Sequence, residues 1–104
     1  MSKRPQQKTW MSVKWNPQRE VYQVSFRTTE EHFKALVSDL KKIELDQRSY
    51  NADTRVWSFA PAALDSVLAV GLRYCEDVML IEGSVTKNVR TGETTKQLAL
   101  FDLP

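Results

Sequence analysis

Apolar and polar residues alternate over two short runs near the start of the chain, switch to a helical spacing, and repeat that change further along. In Trp10–Trp15 the residues Met11, Val13 and Trp15 share one side, and in Val21–Phe26 Tyr22, Val24 and Phe26 do so, which predicts two strands with one buried face. Asn16-Pro17-Gln18-Arg19-Glu20 joins them as a hairpin, with Pro17 in the turn where it removes no ladder bond. Phe33, Leu36, Val37 and Leu40 then fall at i, i+3, i+4 and i+7, the buried stripe of a helix. Thr28 with Glu31 reads as a capping box, and Glu30 and Glu31 suit the positive end of the helix dipole. His32 lies beside the stripe with no Cys or His at ligand spacing, so it is expected on the helix surface.

The second half follows the same plan. A strand near Glu44–Tyr50 and a return strand Arg55–Phe59 flank Asn51-Ala52-Asp53-Thr54, residues that bond their own main chain in turns. Alternation places Arg55, Trp57 and Phe59 on one face and Val56 and Ser58 on the other. Pro61 opens a second helix, striped by Leu64, Val67, Leu68 and Leu72 with Gly71 as a close-packing point. Asp77–Glu82 reads as a mostly buried strand, and Ser84–Lys96, with Thr91-Gly92, as either a weak hairpin or a loop. Trp15-Asn16 is echoed by Tyr50-Asn51, and Val21-Tyr22-Gln23-Val24 by Val56-Trp57-Ser58-Phe59, both 35 residues on. The expected fold is α+β: duplicated ββα units whose antiparallel sheet carries two helices on one face, with room for a further C-terminal strand or hairpin.

Composition narrows the class. A chain of 104 residues, 41% hydrophobic, can bury one core without disulfides or metals. Three segments follow: a basic arm over 1–8, a domain over 9–96 and a tail over 97–104. Lone Cys75 forms no internal disulfide, and no apolar run approaches the roughly 20 residues of a membrane span, so a soluble cytoplasmic protein is expected. The net charge is only +2, but residues 1–19 carry five cations and no acid, whereas residues 30–82 carry ten acids against six bases. Segregated positive charge suits a polyanion, and a solvated basic tail is the alternative.

The run from Leu40-Lys41-Lys42-Ile43 through Arg48-Ser49-Tyr50-Asn51 to Thr54-Arg55-Val56-Trp57-Ser58-Phe59 resembles the HARP domain and related N-terminal modules of annealing helicases. The resemblance covers roughly Val13 to Leu72. It implies recognition of forked or single-strand/double-strand junction DNA, with Arg48, Tyr50, Arg55, Trp57 and Phe59 as the matching positions. Arginines grip phosphate, and an exposed ring can support an unpaired base for about 1–3 kcal/mol. Trp57 and Phe59 share a face before a helix, which predicts core positions that shape the site, leaving Arg48, Arg55, Lys14 and Arg19 to meet DNA. The chain has no phosphate-binding loop and no room for a motor, so such a module would act without ATP, its motor belonging to a separate helicase or replisome protein.

Near the end, Gln97-Leu98-Ala99-Leu100-Phe101 is similar to the bacterial sliding-clamp-binding pentapeptide at four of five positions. In such a peptide Gln97 bonds the pocket rim, Leu98 covers its edge, and Leu100 and Phe101 fill an apolar cleft. The alternative is that Thr95–Phe101 forms a last strand. No catalytic set is evident: Cys75 lacks a nearby His or Asn and suits the end of the second helix, and an Asp77, Glu82, Lys87 nuclease pattern would need lysine where Ser84 stands. The reading is a non-enzymatic DNA-binding module with no metal and no cofactor. A factor of phage or plasmid origin that occupies the clamp without touching DNA is the alternative.

Overall fold

The computed structural model describes residues 8–96, so most of the arm, and the tail with Gln97, Leu98, Leu100 and Phe101, lie outside it. Strands β1 (Trp10–Asn16) and β2 (Val21–Arg27) precede helix α1 (Glu30–Lys41); β3 (Arg48–Asn51) and β4 (Val56–Phe59) precede α2 (Leu64–Tyr74). β5 (Asp77–Glu82), β6 (Val85–Asn88) and β7 (Thr94–Lys96) complete one seven-stranded sheet in the order β3-β4-β2-β1-β5-β6-β7. The fold is α+β as expected, and the last segment is a hairpin rather than a loop. The sheet departs from the all-antiparallel expectation at one place, because β5 pairs in parallel with β1.

That pairing follows from the crossovers. β2-α1-β3 and β4-α2-β5 each connect strands of the same sense, and they run in opposite directions across the sheet from strands of opposite sense. One preferred hand therefore brings both helices to the same face. Met11, Val13, Val24, Phe59 and Val78 are fully buried beneath them, against Leu36, Leu40 and Val67. Gly71 permits the contact: a Cβ there would stand 2.7 Å from Met11 Sδ and 3.1 Å from a Val78 methyl, so α2 lies closer to β1 and β5 than a larger residue would allow. The expected close-packing role of Gly71 holds.

Local chemistry revises several boundaries. Thr29, not Thr28, caps α1: its hydroxyl accepts from His32 N–H at 3.2 Å, while the Thr28 hydroxyl donates to the Tyr74 carbonyl. No Glu stands three residues after Thr29, so the capping box is absent. A short 3-10 turn over Leu45–Gln47 replaces the first part of the strand expected at Glu44–Tyr50. Arg55 belongs to a turn, at φ 58°, and the return strand starts at Val56. Phe33 departs from its buried stripe and is 51% exposed.

Both predicted hairpin turns have one geometry. Asn16 and Asn51 each accept two backbone N–H groups on the side-chain oxygen, and their carbonyls take the N–H of Glu20 and Arg55, residues 35 apart that share a left-handed backbone. The rings of Trp15 and Tyr22 lie 4.8 Å apart, as do those of Tyr50 and Trp57. Asn88 builds the same turn, ending at Gly92 with φ 81°, but 37 residues after Asn51. The turn is thus a recurring local solution of Asn chemistry, and it does not by itself mark a duplicated unit.

Two polar devices tie the helices down. Arg90, from the β6–β7 turn, donates to the carbonyls of Leu72, Cys75 and Glu76 and so satisfies the C-terminal end of α2. Cys75 is buried there, which pushes its thiol up to about 11 against the pull of Arg90, in keeping with a packing role. Across the helix pair, Asp39 accepts from the Tyr74 hydroxyl at 2.8 Å and from Arg73, and pairs with Lys42 at 3.2 Å. The Tyr74 bond first, then Lys42 and Arg73, hold its carboxyl below the usual range, although burial opposes them.

Asp39 therefore carries a pH signature. The folded chain favours the carboxylate, so the latch is fully present above the unfolded value of about 4 and is lost as the pH falls through the lower folded value. The difference in Tm between the parent and Asp39→Asn should narrow as the pH is lowered past about 4. A difference that stays constant with pH would show that the carboxylate charge has no part in it.

Candidate nucleic-acid interface

Alternation along β3 and β4 separates two sites on opposite faces of the sheet. On the helix side, the outer surface of α1 and the β3–β4 hairpin form a cleft of about 590 Å³. Phe33, Val37 and Lys41, spaced at i, i+4 and i+8, line it from α1; Arg48, Tyr50 and Trp57 line it from the hairpin, with Arg55 at the turn and Phe26 from β2. Among the described residues no acidic residue lines this cleft.

Its rings form two pairs. Tyr50 and Trp57 lie 4.8 Å apart at 48°, and Phe26 and Phe33 lie 6.0 Å apart at 39°. Tyr50 is 49% exposed, as a stacking ring must be, whereas Trp57 is 6% exposed and Phe59 fully buried. The expectation that Trp57 and Phe59 are core residues is met. Trp57 stacks on Phe59 at 6.0 Å and 12°, which makes it the rigid floor beneath Tyr50.

The cations are held differently. Arg48 donates through Nε to the Ile43 carbonyl at 2.9 Å, which orients its guanidinium and leaves the remaining N–H groups without a partner among the described residues. Arg55 is carried at the left-handed position of its turn, where its N–H bonds the Asn51 carbonyl at 2.7 Å. Neither arginine, nor Lys41, forms an ion pair among the described residues.

Lys14 and Arg19 are not part of this cleft. They line a trough of about 380 Å³ on the helix-free face, together with Gln23, Ser25, Thr54 and Ser58. The residues expected from the sequence to contact DNA, Lys14, Arg19, Arg48, Tyr50, Arg55 and Trp57, are therefore divided: two lie on one face and four on the other. Phe26, Phe33, Val37 and Lys41 were not anticipated in a site. The sequence signal was present in the Phe33, Val37, Lys41 spacing, which ends in a cation and so fits a rim better than a core.

Among the described residues no group of His, Cys, Asp and Glu could hold a metal, and no helix is long and apolar enough to cross a membrane. Asp77, one member of the nuclease-like pattern, pairs with Lys8 at 3.2 Å. No family model, curated protein or solved structure matches the chain.

Proposed function

We propose that the chain is a cytoplasmic, non-enzymatic DNA-binding module that takes the unpaired strand of a fork or single-strand/double-strand junction in the cleft between α1 and the β3–β4 hairpin. One observation carries this reading: Lys41, Arg48 and Arg55 converge, without an acid among the described residues of the lining, on a cleft whose walls present the exposed rings of Tyr50 and Phe33. A phosphodiester strand needs cations for its backbone and flat rings for its bases, and an indifferent anion would need only the former. The resemblance of Arg48–Phe59 to fork-recognising domains points the same way. The tail, by its Gln97-Leu98-Ala99-Leu100-Phe101 sequence, would address the module to a bacterial sliding clamp, with a helicase or replisome protein as a further partner.

Fluorescence anisotropy with a labelled oligothymidine tests the DNA reading. Binding should weaken with added salt, and Tyr50→Ala should weaken it by roughly tenfold, within the about 1–3 kcal/mol of a lost stack. No binding at low salt, or a Tyr50→Ala variant that binds like the parent, would end it. The second reading, a clamp-occupying factor that ignores DNA, rests on the tail sequence alone. It is favoured if peptide 96–104 competes for the clamp, Leu100→Ala with Phe101→Ala abolishes competition, and the full chain binds no DNA.

A further inference from the structure

The register of the sheet builds a polar row across all seven strands on the face the helices leave bare. Ser49, Ser58, Gln23, Lys14, Ile81, Thr86 and Thr95 are successive cross-strand partners, and six of these seven are polar. A neighbouring row runs Ser25, Ser12, Met79, Asn88. At about 4.8 Å per strand the first row spans nearly 30 Å. The trough over its β4-β2-β1 part offers hydroxyl and amide groups with Lys14 and Arg19, and among the described residues neither an aromatic ring nor an acid lines it. Glu20 and Asp53 sit in the two hairpin turns but do not line the trough.

We infer that this trough is a second nucleic-acid surface, specific for the sugar-phosphate backbone of the paired arm of a junction. The inference rests on the reading that the cleft takes the unpaired strand, and it adds the place of the duplex. The two sites differ in the feature that separates their ligands. The cleft has rings on which unpaired bases can stack; the trough has none, and its hydroxyls, amides and cations match the phosphate and sugar groups that a duplex turns outward.

The β3–β4 turn lies between the sites. Asn51 and Thr54 line the trough, while Arg55, the next residue, lines the cleft. The left-handed backbone at Arg55 marks the point where the chain passes from one site to the other. A junction whose duplex lies on the bare face would thus send its unpaired strand past this turn at the β3 edge of the sheet and into the cleft.

The test compares three labelled probes on the full chain at one salt concentration: an oligothymidine, a blunt duplex, and that duplex carrying the oligothymidine as an overhang. The junction should bind tighter than the oligothymidine by roughly tenfold or more, as expected from the phosphate contacts of two added cations. Lys14→Ala with Arg19→Ala should remove that gain and leave oligothymidine binding within twofold of the parent. Gln23→Glu, which puts a negative charge in the trough with little change of shape, should do the same. A junction that binds no tighter than the oligothymidine overturns this inference alone, as do trough variants that weaken both probes equally. Failure of the oligothymidine itself to bind overturns the underlying reading and this inference with it.

Discussion

Phe59→Ala is expected to remove about 3–5 kcal/mol of folding stability, a large share of the roughly 5–15 kcal/mol that a domain of this size holds. Phe59 is the largest fully buried side chain among the described residues. It sits on β4, which is bonded on one side to β2 through the Tyr22 register and on the other to β3 through Arg48, so neither neighbour can collapse into the space left behind. Its ring is also the surface on which Trp57 stacks, and Trp57 is the floor of the cleft. Urea unfolding should show a lower midpoint at an unchanged slope, and Phe59→Leu, which keeps most of the volume, should cost less than half as much. A loss below about 1 kcal/mol would mean that the core repacks around position 59, and that the cleft floor does not depend on it.

The ease with which Phe59 could be recognised from its sequence context, and the failure at Phe33, have a common cause. Strand alternation is enforced on both sides by neighbouring strands, so Met11, Val13, Val24 and Phe59 had to share the covered face once the hairpins were recognised. A helical stripe is enforced only as far as the helix lies over the sheet. Leu36 and Leu40 lie in the core and Val37 packs against it while lining the cleft, but Phe33 reaches only the rim of the β3–β4 hairpin, where the sheet ends. Hydrophobic spacing cannot distinguish these two situations, because both satisfy the same period.

What the sequence could not disclose is long-range. The parallel pairing of β1 with β5 and the capping of α2 by Arg90 depend on where a crossover returns the chain, not on any local pattern. The division of Lys14 and Arg19 from Arg48 and Arg55 has a local origin instead. Each pair sits beside a similar hairpin turn, but alternation sends Lys14 to the bare face with Gln23, and Arg48 to the covered face with Phe59. Summing basic residues along the chain merges two faces that the pleat keeps apart.

The cations of the cleft set the second large effect. If Lys41, Arg48 and Arg55 each neutralise one phosphate of a single strand, the slope of log K against log salt should become shallower by about 2 on removing all three, at about 0.7 per contact. The same arithmetic gives roughly a hundredfold weaker oligothymidine binding at 0.1 M salt. Lys41→Ala, Arg48→Gln and Arg55→Gly is the combination of choice. Gln at 48 keeps an N–H donor near the Ile43 carbonyl, and Gly at 55 suits the left-handed backbone that Arg55 occupies, so each change spares the local fold. Unfolding midpoints near that of the parent would therefore assign the lost affinity to charge. The decisive reading is the slope: a variant that binds more weakly at every salt concentration with the parent's slope would show that these side chains shape the cleft without touching phosphate, and the strand would then have to track elsewhere on the molecule.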